Sequence, residues 1–457
     1  VAAGGEFDAF RQRYHELLRE RYDDRSSRLS WSADELTRHQ RAALRHLLSY
    51  ARERSPFYAR RLAGIDPETF ELEDLPRLPM LTKAEMMSDL DDVFTDRRLS
   101  RAVVEESVRA TAHDPVLIRD SYLAQVSGGS SYHRGLFLLD LDNIVDGALA
   151  VLRATNPGAT AQARDGQARI AMVAAGSPLH GTGLVPALNP PAVGPAAIYS
   201  VPASLPMREI VHSLNDIDPH VLSGYPSVLA QLASERLAGR LHAHPLRIQA
   251  TGEMLTPGLR RSIKAGFDAP IIDVFGCSEG LLGVSGGDSD VFRFNSDMFL
   301  VEPIDERGCP TRPGSVSAAV LLTSLTNRVQ PLIRYRLGDP MVHIQAGGSA
   351  MFEAKVVGRE LPLFWYAGVP LHPTAVSSLL LERSDVLDYQ IFQTPDGVEI
   401  ALVSAGRLDV EDVRDSAARA LTSAGLAQPV VVVRQVGGLA RLYGSGKVRR
   451  FVPLPAS

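Results

Sequence analysis

Lysine is scarce in this chain. Four lysines (83, 264, 355 and 447) stand among 48 basic residues, the rest arginine, so a lysine in a functional setting carries extra weight. Lys447 lies in Tyr443-Gly-Ser-Gly-Lys-Val-Arg-Arg near the C-terminus. A lysine on a glycine loop is a mobile cation that can reach into a site. Ser127-Gly-Gly-Ser-Ser-Tyr-His-Arg-Gly offers small residues whose backbone N–H groups can approach phosphate oxygens, with Arg134 to add charge. No Gly-Lys-Ser/Thr follows, so it is not a Walker loop. Asp273-Val-Phe-Gly-Cys-Ser-Glu-Gly follows an apolar run, where open parallel sheets place ligands. In it Glu279 can hold Mg²⁺, which prefers hard oxygen ligands, and Phe275 offers a face to a planar base. Ile333-Arg-Tyr-Arg-Leu-Gly-Asp-Pro sets Asp339 behind glycine, where a carboxylate can accept from two ribose hydroxyls. Gly358-Arg-Glu adds Arg359, and Ser177-Pro-Leu-His-Gly-Thr-Gly puts His180 on a glycine-flanked turn. Taken singly, each also fits a plain structural part: a flexible turn, a buried Phe beside a surface Glu, a turn Asp before Pro, a solvated basic tail. His242 and His244 have no cysteine or carboxylate cluster nearby and are expected on a surface loop.

Such residues need elements to hold them. Residues 7–20 and 32–52 carry apolar residues at helical spacing, and Ser32-Ala-Asp-Glu supplies a cap and an acidic first turn. Ser55-Pro-Phe-Tyr and Leu78-Pro-Met-Leu-Thr-Lys are turn-then-helix patterns, with Thr82 as a cap. From 124 to 297, β-rich runs (169–174, 220–224, 247–252, 270–276) alternate with helix-length segments (143–154, 207–215, 226–238, 256–265). Strands separated by helices predict βαβ units and a largely parallel sheet. Residues 298–341 hold strands and turns without helices, as in a β-rich subdomain. The expected class is α/β: a large multi-subdomain domain at 1–357 with mostly parallel sheets flanked by helices, and a small mobile α+β domain at 358–457.

Composition narrows the function. Of 457 residues, 45% are hydrophobic and 22% charged, as in a folded soluble protein. The net charge of −5, with both signs mixed, gives no footprint for nucleic acid or a membrane surface. No apolar run approaches the roughly 20 residues of a membrane helix, and no charged-then-apolar leader is visible, so a cytoplasmic protein is expected. Residues 1–7 are set aside as a cloning remnant. Two cysteines, Cys277 and Cys309, cannot form a disulfide framework or a four-cysteine zinc site and are expected as free thiols.

The order and spacing of these motifs resemble the adenylate-forming superfamily, which includes acyl-CoA synthetases, luciferases and peptide-synthetase adenylation domains. Ser55-Pro-Phe-Tyr, Leu78-Pro-Met-Leu-Thr-Lys, Leu222-Ser-Gly-Tyr-Pro-Ser and Thr251-Gly-Glu-Met-Leu-Thr resemble its phenylacetate–CoA ligase branch. The resemblance spans nearly the whole chain. It implies a ligase that activates a small, aromatic carboxylic acid as acyl-AMP with release of pyrophosphate, then passes the acyl group to CoA. ATP, Mg²⁺ and CoA are the implied cofactors and co-substrates, and a homodimer is implied by analogy. By the same resemblance Ser127, Gly128, Gly129 and Ser130 embrace the β- and γ-phosphates. Gly252 and Glu253 flank the adenine, Phe275 and Gly276 pack against it, Ser278 touches the α-phosphate and Glu279 holds Mg²⁺. Asp339 binds the ribose, with Arg359 near it, and Lys447 bridges the acyl carboxylate and the α-phosphate. His180, Tyr225 and Cys277 line the acid pocket.

The chain also departs from that pattern. The family's loop is Ser-Ser-Gly-Thr-Thr-Gly followed by a residue and Pro. Here Val126 replaces the first Ser, Gly129 and Ser130 the threonines, Ser131 the last glycine, and His133 the proline. After Gly358-Arg the hinge offers only Glu360 as an acid, with Pro362 stiffening the chain. These departures keep alternatives open: an amine or carrier protein as acceptor, activation of nitrite for an aryl amine, or a non-catalytic nucleotide or acid sensor.

Overall fold

The structure is a computed structural model. It describes residues 3–111, 114–127, 135–155, 167–191, 196–345, 349–358, 364–366, 369–371, 373, 376–377, 379–380, 383, 385–404, 406, 408–441 and 448–454. Two compact units make it up. One comprises residues 1–168, 177–199 and 272–359, the other 169–176, 200–271 and 360–457.

The first unit opens with helices Ala3–Ser27 and Ala33–Arg54. The second of these starts where Ser32 and Glu35 form a reciprocal capping box. It buries Leu36, Leu44, Leu47, Leu48 and Ala51, one face of a 3.6-residue period. The first helix begins earlier than expected. Phe7, set aside as a remnant, is buried and stacks on Phe10 at 6.2 Å, because the apolar stripe of this helix runs on through it. Thr82 caps Lys83–Ser88 with a second capping box.

The strand pairs described in this unit are antiparallel, and one isolated bridge, Leu81 to Tyr335, is parallel. Tyr122–Val126 pairs with Leu136–Asp140. Phe299–Ile304, Ala319–Ser324 and Tyr335–Leu337 form the expected β-rich piece. Strands 341–343, 353–356, 291–294, 282–285 and 271–276 follow one another in a third, antiparallel run. The strand after the glycine-rich loop is held partly by side chains. Gln330 accepts from Leu138 N (2.7 Å) and donates to Leu136 O (3.0 Å), and Asn327 donates to Leu138 O (3.0 Å). These amides take the place of a neighbouring strand, so buried backbone groups stay paired.

The second unit contains the parallel pairing. Ala168–Ala174, Val221–Gly224 and Arg247–Thr251 run parallel, with helices Pro226–Leu237 and Pro257–Gly266 between and after them. Its C-terminal part is a four-stranded mixed sheet in the order 430–435, 397–404, 386–394, 451–452, packed with helix Val410–Ser423. The parallel pairing expected within 124–297 is seen among the three strands Ala168–Ala174, Val221–Gly224 and Arg247–Thr251. From Ile271 onward tight connections replace helices and the pairing turns antiparallel. Among the described residues no helix is long and apolar enough to cross a membrane.

Candidate active site

Three stretches noted in the sequence converge in the first unit. Leu81 N donates to Arg334 O at 2.9 Å and Arg336 N to Leu81 O at 2.8 Å, so Leu78-Pro-Met-Leu-Thr-Lys pairs with Ile333-Arg-Tyr-Arg. Tyr58, from Ser55-Pro-Phe-Tyr, donates to Pro331 O at 2.7 Å and accepts from Ile333 N at 3.3 Å. Between these clamps Arg334 adopts φ 49°, a left-handed conformation that costs a non-glycine residue on the order of 1–3 kcal/mol. Several partners fix it there. Its N–H donates to Thr323 Oγ1 (3.0 Å). Its guanidinium donates to Glu302 (3.2 Å) and to Leu78 O (2.6 Å).

The next residue is Tyr335, 1% exposed. Its ring lies edge-on to Phe137 at 6.2 Å, two residues past the glycine-rich loop. Its hydroxyl donates to Glu279 Oε1 at 3.1 Å. Burial pushes the phenol well above its ordinary pKa and the Glu279 carboxylate adds to that, so it remains a protonated donor. Glu279 itself is 7% exposed. Among the described residues it pairs with no cation, and Tyr335 is its hydrogen-bond partner. A nearly buried carboxylate without a cation is costly unless a ligand supplies the charge. Asp339, four residues beyond Tyr335, is also buried. Burial, then the charges of Glu279 and Asp339, raises the Cys277 thiol well above its usual range, which keeps it protonated.

Ser127, Phe275, Gly276 and Ser278 are each partly buried in this unit. Gly135 N donates to Ser127 Oγ at 2.8 Å and Ser127 N to Gly135 O at 3.0 Å, which closes the base of the loop. Val126 N donates to Leu179 O at 2.9 Å, which sets the end of strand Tyr122–Val126 beside the histidine turn. His180 is the N-cap of helix Gly181–Leu188, an element the sequence pattern did not reveal because its Pro186 and glycines hide it. Phe275 meets Phe292 and Phe294 edge-on at 6.3 and 5.6 Å, so the neighbouring rings already fix its plane. Gly280, at φ +98°, lets the chain turn behind Glu279, where a Cβ would press on Phe299 at 3.0 Å.

The second unit holds Tyr225, Gly252 and Glu253. Tyr225 is fully buried at the start of helix Pro226–Leu237. Gly252 has φ +77°, which favours glycine there. Glu253 is engaged by protein on both oxygens. Ser227 Oγ donates to one at 2.6 Å, and Val448 N donates to the other at 2.8 Å. Arg441 lies 3.6 Å from the same carboxylate and donates to Ser227 at 3.0 Å. Nearby, Arg450 pairs with the buried Asp388 at 2.8 Å, and Thr256 donates to Leu387 O at 3.2 Å. The Thr-Gly-Glu stretch thus docks the C-terminal sheet in this conformation, a contact the sequence pattern did not predict. Gly128, Gly129, Ser130, Arg134, Arg359 and Lys447 lie outside the described residues. Both cysteines are free thiols, and His242 and His244 are exposed on a loop.

No model of a known protein family matches the chain. A phenylacetate–coenzyme A ligase of Thermus thermophilus is 27% identical over 376 residues, 78% of either chain. An indoleacetate–lysine synthetase of Pseudomonas savastanoi is 31% identical over 132 residues, 28% of this chain and 30% of that protein. Among solved structures, a 2-hydroxyisobutyryl-CoA ligase in its postadenylation state superposes with a TM-score of 0.66 at 19% identity, over 94% of this chain and 91% of that one. The fold is therefore that of this 2-hydroxyisobutyryl-CoA ligase, and in sequence the chain is similar to phenylacetate–coenzyme A ligases.

Proposed function

We propose that the chain is an ATP-dependent, AMP-forming acid–CoA ligase acting on a small, aromatic carboxylic acid. The observation that carries this reading is the buried Tyr335–Glu279 pair beside Asp339, in a chain related over 78% of its length to a phenylacetate–CoA ligase. A carboxylate is a poor electrophile because it is anionic and its oxygen leaves badly. In the first step a carboxylate oxygen attacks the α-phosphorus, the bond to the β-phosphate bridging oxygen breaks, and pyrophosphate leaves. In the second step the thiol of CoA, losing its proton, attacks the acyl carbon and AMP leaves. Little covalent work falls to the protein, so alignment and charge stabilisation carry the catalysis.

In this reading the loop Ser127, Gly128, Gly129 and Ser130 cradles the β- and γ-phosphates, and Ser278 meets the α-phosphate. Asp339 accepts from the ribose hydroxyls, with Arg359 close to it. Phe275, Gly276, Gly252 and Glu253 are the residues assigned to the adenine. His180, Tyr225 and Cys277 wall the acid pocket. Lys447 neutralises the acyl carboxylate and the α-phosphate. Glu279 fits a magnesium ligand, being a hard oxygen donor with no cation among the described residues. The ion, when bound with the nucleotide, would supply charge neutralisation on the phosphates. Residues 358–457 act as a mobile domain between the two steps. A cytoplasmic, homodimeric enzyme follows from family analogy.

A second reading changes the acceptor to an amine. The partial relationship to an indoleacetate–lysine synthetase favours it, as do the altered loop and hinge. Acid-dependent exchange of labelled pyrophosphate into ATP tests the first step across a panel of aryl acids and nitrite. AMP release with CoA, amines or a carrier protein then identifies the acceptor. Exchange that depends on one acid and falls with Lys447→Ala supports the proposal. Nucleotide binding without turnover for any acid would point instead to a sensor.

A further inference from the structure

Tyr335 belongs to a motif in which the aspartate and the glycine draw attention, yet it makes the contact that fixes Glu279. Three observations define its place. The hydroxyl donates to Glu279 Oε1 at 3.1 Å, and both side chains are at least nine-tenths buried. The ring is braced edge-on against Phe137, on the strand that leaves the glycine-rich loop. The backbone just before it is held in the left-handed region by bonds from Arg334 to Glu302, Leu78 and Thr323. A strained residue held by that many partners is unlike an incidental turn.

We infer that Tyr335 is a positioning residue. Its hydroxyl fixes the Glu279 carboxylate through Oε1 and leaves Oε2, which has no hydrogen-bond partner among the described residues, to face a divalent cation carried by the nucleotide. The inference rests on the proposed role of Glu279. Hydrogen bonds to a ligating carboxylate fix its orientation, and losing such a partner typically lowers metal affinity about 10–100-fold. The bracing by Phe137 also ties the orientation of Glu279 to strand Leu136–Asp140.

Tyr335→Phe tests this. It keeps the ring and its packing and removes only the donor. The measurement is Mn²⁺ binding in the presence of a non-hydrolysable ATP analogue, read by the loss of the free-ion paramagnetic resonance signal, with thermal unfolding alongside. Tyr58→Phe is the comparison, since it removes a buried hydroxyl, on helix Pro56–Arg61, that bonds the backbone just before Arg334 without touching Glu279. The expected result is a dissociation constant for Mn²⁺ raised about 10–100-fold in Tyr335→Phe and unchanged in Tyr58→Phe. An unchanged constant in Tyr335→Phe overturns the inference. So does an equal rise in both variants, which would mark a structural role. Glu279→Gln separates this from failure of the underlying reading. If Glu279→Gln binds Mn²⁺ as the wild type does, Glu279 is not a ligand and the assigned site falls with the inference.

Discussion

The hydroxyl of Tyr58 donates to the carbonyl of Pro331 at 2.7 Å, across 273 positions of sequence. The same oxygen accepts from Ile333 N at 3.3 Å, so one side chain satisfies two backbone groups just before the Tyr-Arg-x-Gly-Asp stretch. Tyr58 is 1% exposed, and no water can replace it cheaply. Tyr58→Phe should lower unfolding stability by about 1–3 kcal/mol, the cost of leaving buried polar groups unpaired. Denaturant unfolding with an unchanged m value checks it. An unaltered midpoint would mean the strand is held without this clamp.

Deeper in the same unit, Arg153 and Asp297 form a two-pronged ion pair at 2.6 and 2.9 Å, with side chains 1% and 0% exposed. Removing one partner strands the other charge. Asp297→Ala should therefore cost about 3–5 kcal/mol. The double change Arg153→Met, Asp297→Leu should recover much of that loss. A double-mutant cycle in urea gives both values, and additive losses would contradict the buried-pair account.

His15 ties the first helix to the loop after residue 188, with Nε2 3.0 Å from Leu188 O. Burial holds its pKa below the ordinary histidine value of 6.5. Below pH 6.5 the unfolded chain therefore takes up a proton that the folded chain refuses. The stability this group contributes is present above pH 6.5 and is lost as pH falls through the lower, folded value. Thermal midpoints measured from pH 7.5 down to 5 should fall more steeply for the wild type than for His15→Gln. Equal slopes would remove His15 as the cause.

Gly258, near the start of helix Pro257–Gly266, has no room for a side chain. A Cβ there would meet Val386 O at 2.4 Å and Leu387 Cα at 2.9 Å, both backbone atoms of the C-terminal sheet. Gly258→Ala should cost about 1–3 kcal/mol through overpacking. It should also speed amide exchange at Val448, whose N–H docks on Glu253. Trp365, 57% exposed, gives a fluorescence signal from the same unit, with Trp31 as the second tryptophan. Unchanged exchange at Val448 would show that the two contacts are independent.

Much of this was legible in the residues. The helix starts at Ser32 and Thr82 were readable because capping is local: a hydroxyl, then a glutamate three residues on. The strands from Ala168 to Thr251 were readable because β-branched runs alternate with helical ones. What escaped was non-local. Sequence shows that Glu279 and Tyr335 exist, but not that the chain folds so that two residues 56 positions apart bond, one donating to the other. Nor does it show that Glu253, which the motif order assigns to the adenine, is held by Ser227 and Val448. The antiparallel turn after Ile271 was missed for a related reason, since alternation fixes a strand and not its neighbour. Ser55-Pro-Phe-Tyr and Leu78-Pro-Met-Leu-Thr-Lys were visible as signatures, but their work as clamps on the 331–336 segment emerges only in the fold.

The central claim is that an acid's carboxylate oxygen becomes bonded to the α-phosphorus. An acid that supports pyrophosphate exchange, labelled with ¹⁸O in both carboxylate oxygens, tests it directly when the AMP formed after transfer is weighed by mass spectrometry. The account predicts one heavy oxygen in the AMP phosphate and one in the acyl product, with the transfer lost in Lys447→Ala. Unlabelled AMP, or ADP and inorganic phosphate in its place, would contradict adenylate formation.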